Sequence, residues 1–196
     1  KLGIDGANFA PYKFFGQRGY SFFYVSDRMA KLTHPRIYRP ADADDGNWTL
    51  GSAAYGHYAD VTVIVDYVCW IGSHFTEETG RRALFVTGME KIELHERALL
   101  NRLLYGADGI EGVFDIENAD APFCSGDLPK RDLIVPVTFS NLSLPDAVKE
   151  YEKHGVIVWQ RMGTNHFSEN VMNEFNIPGV IRVSPLHCHS TEDVDI

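Results

Sequence analysis

The chain has 196 residues, of which 44% are hydrophobic and 23% are charged, and its formal net charge is -9. This composition is ordinary for a globular protein and is sufficient for one domain or for parts of two. The acidic balance and the lack of a Lys/Arg run argue against nucleic-acid binding. The apolar run over residues 61–65 is far too short to cross a membrane. Because the first residue is Lys1 and not Met, we expect a piece of a longer polypeptide.

The three cysteines, Cys69, Cys124 and Cys188, are widely spaced and odd in number. They form no Cys-x-x-Cys pair, so the pattern favours a reducing compartment over a disulfide framework. We therefore expect a cytoplasmic protein.

The first half of the chain predicts two strands followed by helices. Residues 4–9 and 20–25 are short, apolar and rich in aromatic residues, as strands are, and Ser26 can cap a short helix after them. A loop with an acidic cluster follows over 33–48. A helix is predicted over 55–71, where the apolar residues recur at helical spacing, and Gly72 favours its end.

The second half predicts a small mixed unit. A longer helix is expected over 76–104, with Glu77 and Glu78 at its N-terminus. Strands are then predicted over 110–116, 133–139, 156–160 and 179–184, and helices over 143–154, over 168–175 and from Ser190 onward. The order β–β–α–β–α–β–α indicates a compact α+β unit from about residue 109 onward.

Lys13 is the residue of the first half that most suggests chemistry. It lies between the two predicted strands, over 9–16, in the segment FAPYKFFG. Apolar surroundings disfavour the charged ammonium form, and a neutral lysine amine can form a Schiff base with an aldehyde.

Three segments carry a resemblance to one family. They are DGANFAPYKFFG with the strand after it, WTLGS over 48–52, and VIRVSP followed by STEDVD near the end of the chain. In this order they resemble the C-terminal half of the class V aminotransferases, pyridoxal-phosphate enzymes of fold type I that include cysteine desulfurases, cystine lyases and isopenicillin N epimerase-like proteins. The resemblance covers essentially the whole sequence.

The resemblance implies an α/β fold class. Residues 1–75 would be the end of the large, cofactor-binding domain of a fold type I pyridoxal-phosphate transferase. Residues 76–196 would be a connecting helix and a small α+β C-terminal domain. The family also implies a homodimer, an amino acid as substrate and pyridoxal 5'-phosphate as cofactor.

The resemblance assigns roles to five residues. Lys13 would form the Schiff base with the cofactor and then move a proton at the α-carbon of the substrate. Tyr12 would reach the cofactor phosphate, and Gly51 and Ser52 would contribute to the phosphate site of the partner subunit. Arg182 would bind the substrate α-carboxylate, since a guanidinium can take both carboxylate oxygens at once. Ala10 departs from the family, because many members have a serine at this position.

The sequence leaves the reaction open. Cysteine desulfurases carry a nucleophilic cysteine on the loop before the arginine strand, and residues 158–167 contain none. We expect C–S lyase (cysteine desulfurase-like) or aminotransferase-type chemistry through a Cα carbanion. The alternatives are a desulfurase that uses another cysteine, an amino-acid epimerase, and a non-catalytic binding or interaction protein on the same scaffold. No metal site is predicted, because adjacent residues such as those of His187-Cys188-His189 point to opposite faces of an extended chain.

Overall fold

The computed structural model of the chain describes residues 3–33, 48, 54–125 and 130–196. The chain divides into two compact units, Lys1–Gly88 and Met89–Ile196. The predicted loop over 33–48 lies almost wholly outside the described residues. The domain boundary predicted between residues 75 and 76 remains a prediction about the complete protein.

The first unit combines an antiparallel strand pair with helices. Proline at the first position of the 3-10 helix favours helical backbone directly after β1. Ser26 accepts a hydrogen bond from the Met29 amide and so caps the next helix, as predicted. Both predicted strands are confirmed at shorter lengths. The elements are β1 (Gly6–Phe9), the 3-10 helix (Pro11–Phe14), β2 (Phe22–Val25), α1 (Asp27–Ala30), α2 (Tyr55–Ser73) and the start of α3 (Arg81–Tyr105).

The two long helices approach each other closely at two glycines. A Cβ atom on Gly72 of α2 would lie under 3.0 Å from the carbonyl oxygen of Leu84 on α3. In return, a Cβ on Gly88 would lie under 3.0 Å from the carbonyl oxygen of Val68. Both glycines are buried. Glycine is therefore required at both positions for this backbone contact.

The start of α3 differs from the prediction. The helix begins at Arg81 and not near Thr76. The Thr76 hydroxyl accepts a hydrogen bond from the Glu78 amide at 3.2 Å, a local turn that competes with helix. The first helical carbonyl is that of Gly80, which accepts the Leu84 amide at 3.0 Å. Glu77 and Glu78, predicted in the first turn of the helix, therefore precede it.

The second unit is a four-stranded antiparallel sheet in the order β3-β4-β6-β5, with helices between its strands. The predicted order of strands and helices is confirmed from the strand over 133–139 onward. Ser143 caps its helix at the predicted position, and Ser190 forms a capping box with Asp193. The elements are β3 (Ala119–Asp120), β4 (Val135–Phe139), α4 (Leu144–Lys153), β5 (Trp159–Met162), α5 (Glu169–Glu174), β6 (Gly179–Val183) and α6 (Thr191–Val194).

The strand predicted over 110–116 is wrong. This segment turns back along the end of α3, where the Val113 amide donates to the Leu103 carbonyl at 2.9 Å and the Phe114 amide to the Leu104 carbonyl at 3.1 Å. The last carbonyls of a helix have no partner within it, so a returning segment that supplies amides is favoured. The first strand of the unit is instead the two-residue β3.

The core of the second unit lies between its sheet and its helices. Alternate residues of β4 and β6 face this core, as expected for a sheet with one buried face. α3 supplies three of its most buried leucines. The core residues are Leu99, Leu100, Leu104, Val113, Ala121, Cys124, Leu133, Val135, Val137, Ala147, Val158 and Ile181.

Candidate functional site

Lys13 lies on the 3-10 helix that follows β1. Its backbone amide donates to the Ala10 carbonyl at 3.1 Å, and the Gly16 amide closes the turn on the Pro11 carbonyl at 2.9 Å. Phe15 between them adopts a left-handed φ of 64°. The turn is therefore held by its own backbone and presents the lysine at one end of the strand pair.

The Lys13 side chain is exposed, which corrects the expectation that its aromatic neighbours enclose it. Phe15 is itself 52% exposed, so the aromatic residues of this segment do not close over the amine. The Nζ atom lies 5.9 Å from the centre of the Tyr12 ring, within range of a cation–π contact. Tyr12 and Lys13, both predicted site residues, are thus neighbours in space as well as in sequence.

An open cavity of about 550 Å³ lies beside this turn. Its lining includes Tyr12, Tyr20 and Ser21, which carry hydroxyl groups, and Arg18, whose guanidinium lies 5.6 Å from the centre of the Tyr12 ring. Sequence reasoning missed Arg18. The available signal was a second cation five residues after Lys13, in a loop whose Ala10 lacks the hydroxyl that the family pattern predicts.

Gly51 and Ser52, the other two predicted cofactor-binding residues, lie outside the described residues. Their role in a phosphate site remains a prediction.

Arg182 lies in the second unit, on the central strand β6, opposite Trp159 of β5 and Pro136 of β4. Its Nε atom is buried and has no hydrogen-bond partner among the described residues. Leaving a buried donor unpaired costs about 1–3 kcal/mol. The arginine also lines a cavity of about 510 Å³ together with Tyr151 and Ser184. This combination suits a guanidinium that receives an anionic ligand.

The same cavity is bordered by an ion-pair cluster that ties α6 to α3. Arg102 binds both carboxylate oxygens of Asp195, at 2.6 and 2.7 Å, and pairs with Asp108 at 2.9 Å. Hydrogen bonds from Arg102 hold the pKa of Asp195 below its usual range. Arg102 is therefore occupied by carboxylates of the chain itself, unlike Arg182.

The loop after β5 presents several side chains to solvent. His166 and Phe167 are exposed, the latter by 90%. The buried Ser168 anchors the loop, since its hydroxyl donates to the Met162 carbonyl at 2.8 Å. No cysteine lies here. Of the three thiols, those of Cys69 and Cys124 are buried and that of Cys188 is exposed.

The histidines near the end of the chain contact α3. His95 Nε2 donates to the His189 carbonyl at 2.8 Å, and His187 Nδ1 lies 3.8 Å from a carboxylate oxygen of Glu96. Burial and the nearby His95 lower the pKa of His187, while burial raises the pKa of Glu96. Within the described ranges, no three His, Cys, Asp or Glu side chains converge on a common metal position.

Comparison with solved structures relates this fold to cysteine desulfurases. The chain matches the cysteine desulfurase CsdA of Escherichia coli over 99% of its own length, with a TM-score of 0.68 and 12% identity. It matches a cysteine desulfurase of Thermococcus onnurineus NA1 over 99%, with a TM-score of 0.63 and 16% identity. It matches a NifS-like protein over 100%, with a TM-score of 0.61 and 18% identity.

These likenesses are of fold. The chain spans 44–45% of the length of those structures, in the C-terminal part of their fold. No protein-family model and no curated protein sequence matches the chain. In the parts of the chain that the structure describes, every helix is too short or too polar to span a bilayer. The expected α/β fold class is thus confirmed coarsely, as a mixed arrangement of helices and sheet that matches the C-terminal part of the cysteine desulfurase fold.

Proposed function

We propose that the chain is part of a pyridoxal-phosphate-dependent enzyme that acts on an α-amino acid. The observation that carries the proposal is the buried, unpartnered Nε of Arg182 beside a cavity of about 510 Å³. A fold shared with cysteine desulfurases and the exposed amine of Lys13 support it.

The residues present fit the cofactor. Lys13 supplies an exposed primary amine. The residues that line the cavity beside it include Tyr12 and Ser21, whose hydroxyls can donate hydrogen bonds, and the cation Arg18, which together suit a phosphate dianion. Pyridoxal 5'-phosphate, when bound, would supply an aldehyde within reach of the lysine amine and a ring that withdraws electrons from the substrate Cα.

The protein's own groups then have separate tasks. The guanidinium of Arg182, which lines the cavity, binds and orients the substrate carboxylate. The Lys13 amine takes and returns a proton at the substrate Cα. Tyr12 holds the phosphate, with Gly51 and Ser52 of the partner subunit in the homodimer that we propose.

The absence of cysteine over 158–167 favours lyase, transferase or epimerase chemistry over desulfuration. In place of a thiol, the loop after β5 presents His166 and Phe167. We therefore propose no persulfide on this loop.

The first test traps the lysine. The full-length protein is loaded with pyridoxal 5'-phosphate, reduced with borohydride and mapped by peptide mass spectrometry. We expect the label on Lys13, its loss in Lys13→Arg, and its retention in Lys31→Arg, which removes another exposed lysine of the same unit. Label elsewhere, or none, would overturn the proposal. A yellow protein without turnover of any amino acid would favour the binding protein.

The second test addresses Arg182. Amino acids and the matching amines that lack the carboxylate are compared as ligands by following the cofactor absorbance. Arg182→Gln should lose roughly 10- to 100-fold of the preference for the carboxylate, the worth of a charge-assisted hydrogen bond. Arg97→Gln, on the outer surface of α3, should keep that preference. Equal preference in all three proteins would count against Arg182 as the anchor.

A further inference from the structure

One carboxylate on α2 binds the turn that follows Lys13. Asp60 accepts a hydrogen bond from the backbone amide of Gln17 at 2.8 Å and another from the phenolic hydroxyl of Tyr20. It also packs directly on Gly16, where an added Cβ would lie 2.7 Å from the carboxylate oxygen. The Asp60 carboxylate therefore attaches the residues that follow the Lys13 turn to α2 by hydrogen bonds.

An aromatic stack supports this attachment. The Tyr20 ring lies on the imidazole of His57, with centres 4.2 Å apart and planes 9° from parallel. His57 and Asp60 are three residues apart on α2, so both project from the same face of the helix. Tyr20 is thus held by its ring and by its hydroxyl, and it is also one of the residues that line the cavity next to Lys13.

Asp60 and Tyr20 keep the same protonation states near neutral pH. The hydrogen bonds from Tyr20 and from the Gln17 amide hold the pKa of Asp60 below its usual range. Burial and the bond to Asp60 raise the pKa of Tyr20 to about 12. Asp60 is therefore a carboxylate and Tyr20 a neutral donor, and the pair is a fixed clamp that exchanges no proton with its surroundings near neutral pH.

We propose that Asp60 is a positioning residue for Lys13. It fixes Gly16 and Gln17 at one end of the turn. The Gly16 amide in turn donates at 2.9 Å to the carbonyl of Pro11, at the other end of the 3-10 helix. With this end fixed, the backbone that carries Lys13 keeps one position relative to the cavity. The inference rests on the proposed function, because the position of the amine matters only if the cofactor aldehyde binds there.

The chain offers a matched control. Asp66 is a second carboxylate of α2, paired with Arg81 at 2.7 Å on the surface of the same unit. Asp66→Ala removes a carboxylate and an ion pair from the same helix without touching the turn. Asp60→Ala removes the clamp, Asp60→Asn keeps an acceptor oxygen without the charge, and Tyr20→Phe removes the hydroxyl and keeps the ring on His57.

The first measurement needs no cofactor. Amide hydrogen exchange of the full-length protein is followed at Gln17. We expect roughly tenfold faster exchange in Asp60→Ala, the effect of losing one charge-assisted hydrogen bond, and unchanged exchange in Asp66→Ala. Unchanged exchange in Asp60→Ala would overturn the clamp.

The second measurement reports on the lysine. The rate at which pyridoxal 5'-phosphate becomes joined to Lys13 is read from its absorbance, together with the pH at which that absorbance titrates. We expect a rate about tenfold lower and a displaced midpoint in Asp60→Ala, partial recovery in Asp60→Asn, a smaller effect in Tyr20→Phe and wild-type behaviour in Asp66→Ala. If Asp60→Ala does not fold, Tyr20→Phe and Asp60→Asn carry the test.

The two proposals can fail separately. If the wild-type protein forms no bond between Lys13 and the cofactor, the proposed function fails and the positioning role with it, whatever the exchange experiment gives. If the wild-type protein forms the bond and Asp60→Ala matches it in rate and titration midpoint, the proposed function stands and the positioning role is refuted.

Discussion

Gly88→Ala is expected to lower the free energy of unfolding, although alanine is the better helix former. A Cβ at Gly88 would lie under 3.0 Å from the carbonyl oxygen of Val68 on α2. Carbon and carbonyl oxygen in native helix interfaces come no closer than about 3.3–3.6 Å. The two helices must therefore separate, because a backbone oxygen, unlike a side-chain end, cannot rotate away.

The magnitude follows from two opposing effects. Overpacking costs about 1–3 kcal/mol. Gly88→Ala should lie at the upper end, about 3 kcal/mol, because the added Cβ meets a backbone atom. Replacing glycine by alanine inside a helix returns about 1 kcal/mol. The expected net loss is about 2 kcal/mol. Gly72→Ala, which meets the Leu84 carbonyl, should behave alike. The double variant should lose less than the sum, because the first alanine has already separated the helices.

Urea unfolding of the purified protein measures these differences, with Gly56→Ala as the control. Gly56 also lies on α2, but no atom lies within 4 Å of the position that its Cβ would occupy. The same substitution there should raise stability by up to about 1 kcal/mol. A Gly88→Ala protein as stable as Gly56→Ala, or a strictly additive double variant, would refute the close crossing of α2 and α3.

Three further outcomes are expected. Leu104→Ala, at a side chain with no exposed surface, should cost about 2–5 kcal/mol of unfolding free energy in the same urea assay; a loss under about 1 kcal/mol would contradict its place in the core. In the folded protein the pKa of His187 is lowered from 6.5. As the pH falls, this histidine is therefore protonated in the unfolded chain at a higher pH than in the folded protein. The contribution of His187 to the free energy of unfolding should therefore be fully present above pH 6.5 and be lost as the pH drops below it. His187→Gln should flatten that part of the curve of unfolding free energy against pH. A thiol reagent mapped by mass spectrometry should modify the exposed Cys188 quickly and the buried Cys124, whose pKa burial raises, slowly; equal rates would contradict the fold around them.

Much of the fold could be predicted because its signals are local. Ser26, Ser143 and Ser190 cap helices where expected, since an N-cap needs only one hydroxyl and the next few amides. The helix over 55–71 follows from the spacing of its own apolar residues, and the structure extends it only to Ser73. The order of elements from β4 onward also holds.

The misplaced elements depend on distant partners. The segment 110–116 alternates like a strand, but two of its amides, those of Val113 and Phe114, bind the carbonyls at the end of α3. These amides are then not available for pairing with another strand. The expected enclosure of Lys13 assumed that aromatic residues close in sequence turn toward the amine. In the structure Phe15 takes a left-handed backbone and is half exposed, so the enclosure does not form.

The sequence by itself determined the positions of a lysine between two short strands and of an arginine on a later strand, and the chemical roles of both residues stay predictions. Tertiary structure decided how they are held. It attached the Lys13 turn to Asp60, more than 40 residues away from Gln17 along the chain, and it buried Arg182 Nε without a partner. The physical reason is range. Periodicity and capping act over a few residues, whereas burial and side-chain pairing depend on which distant segments meet when the chain packs.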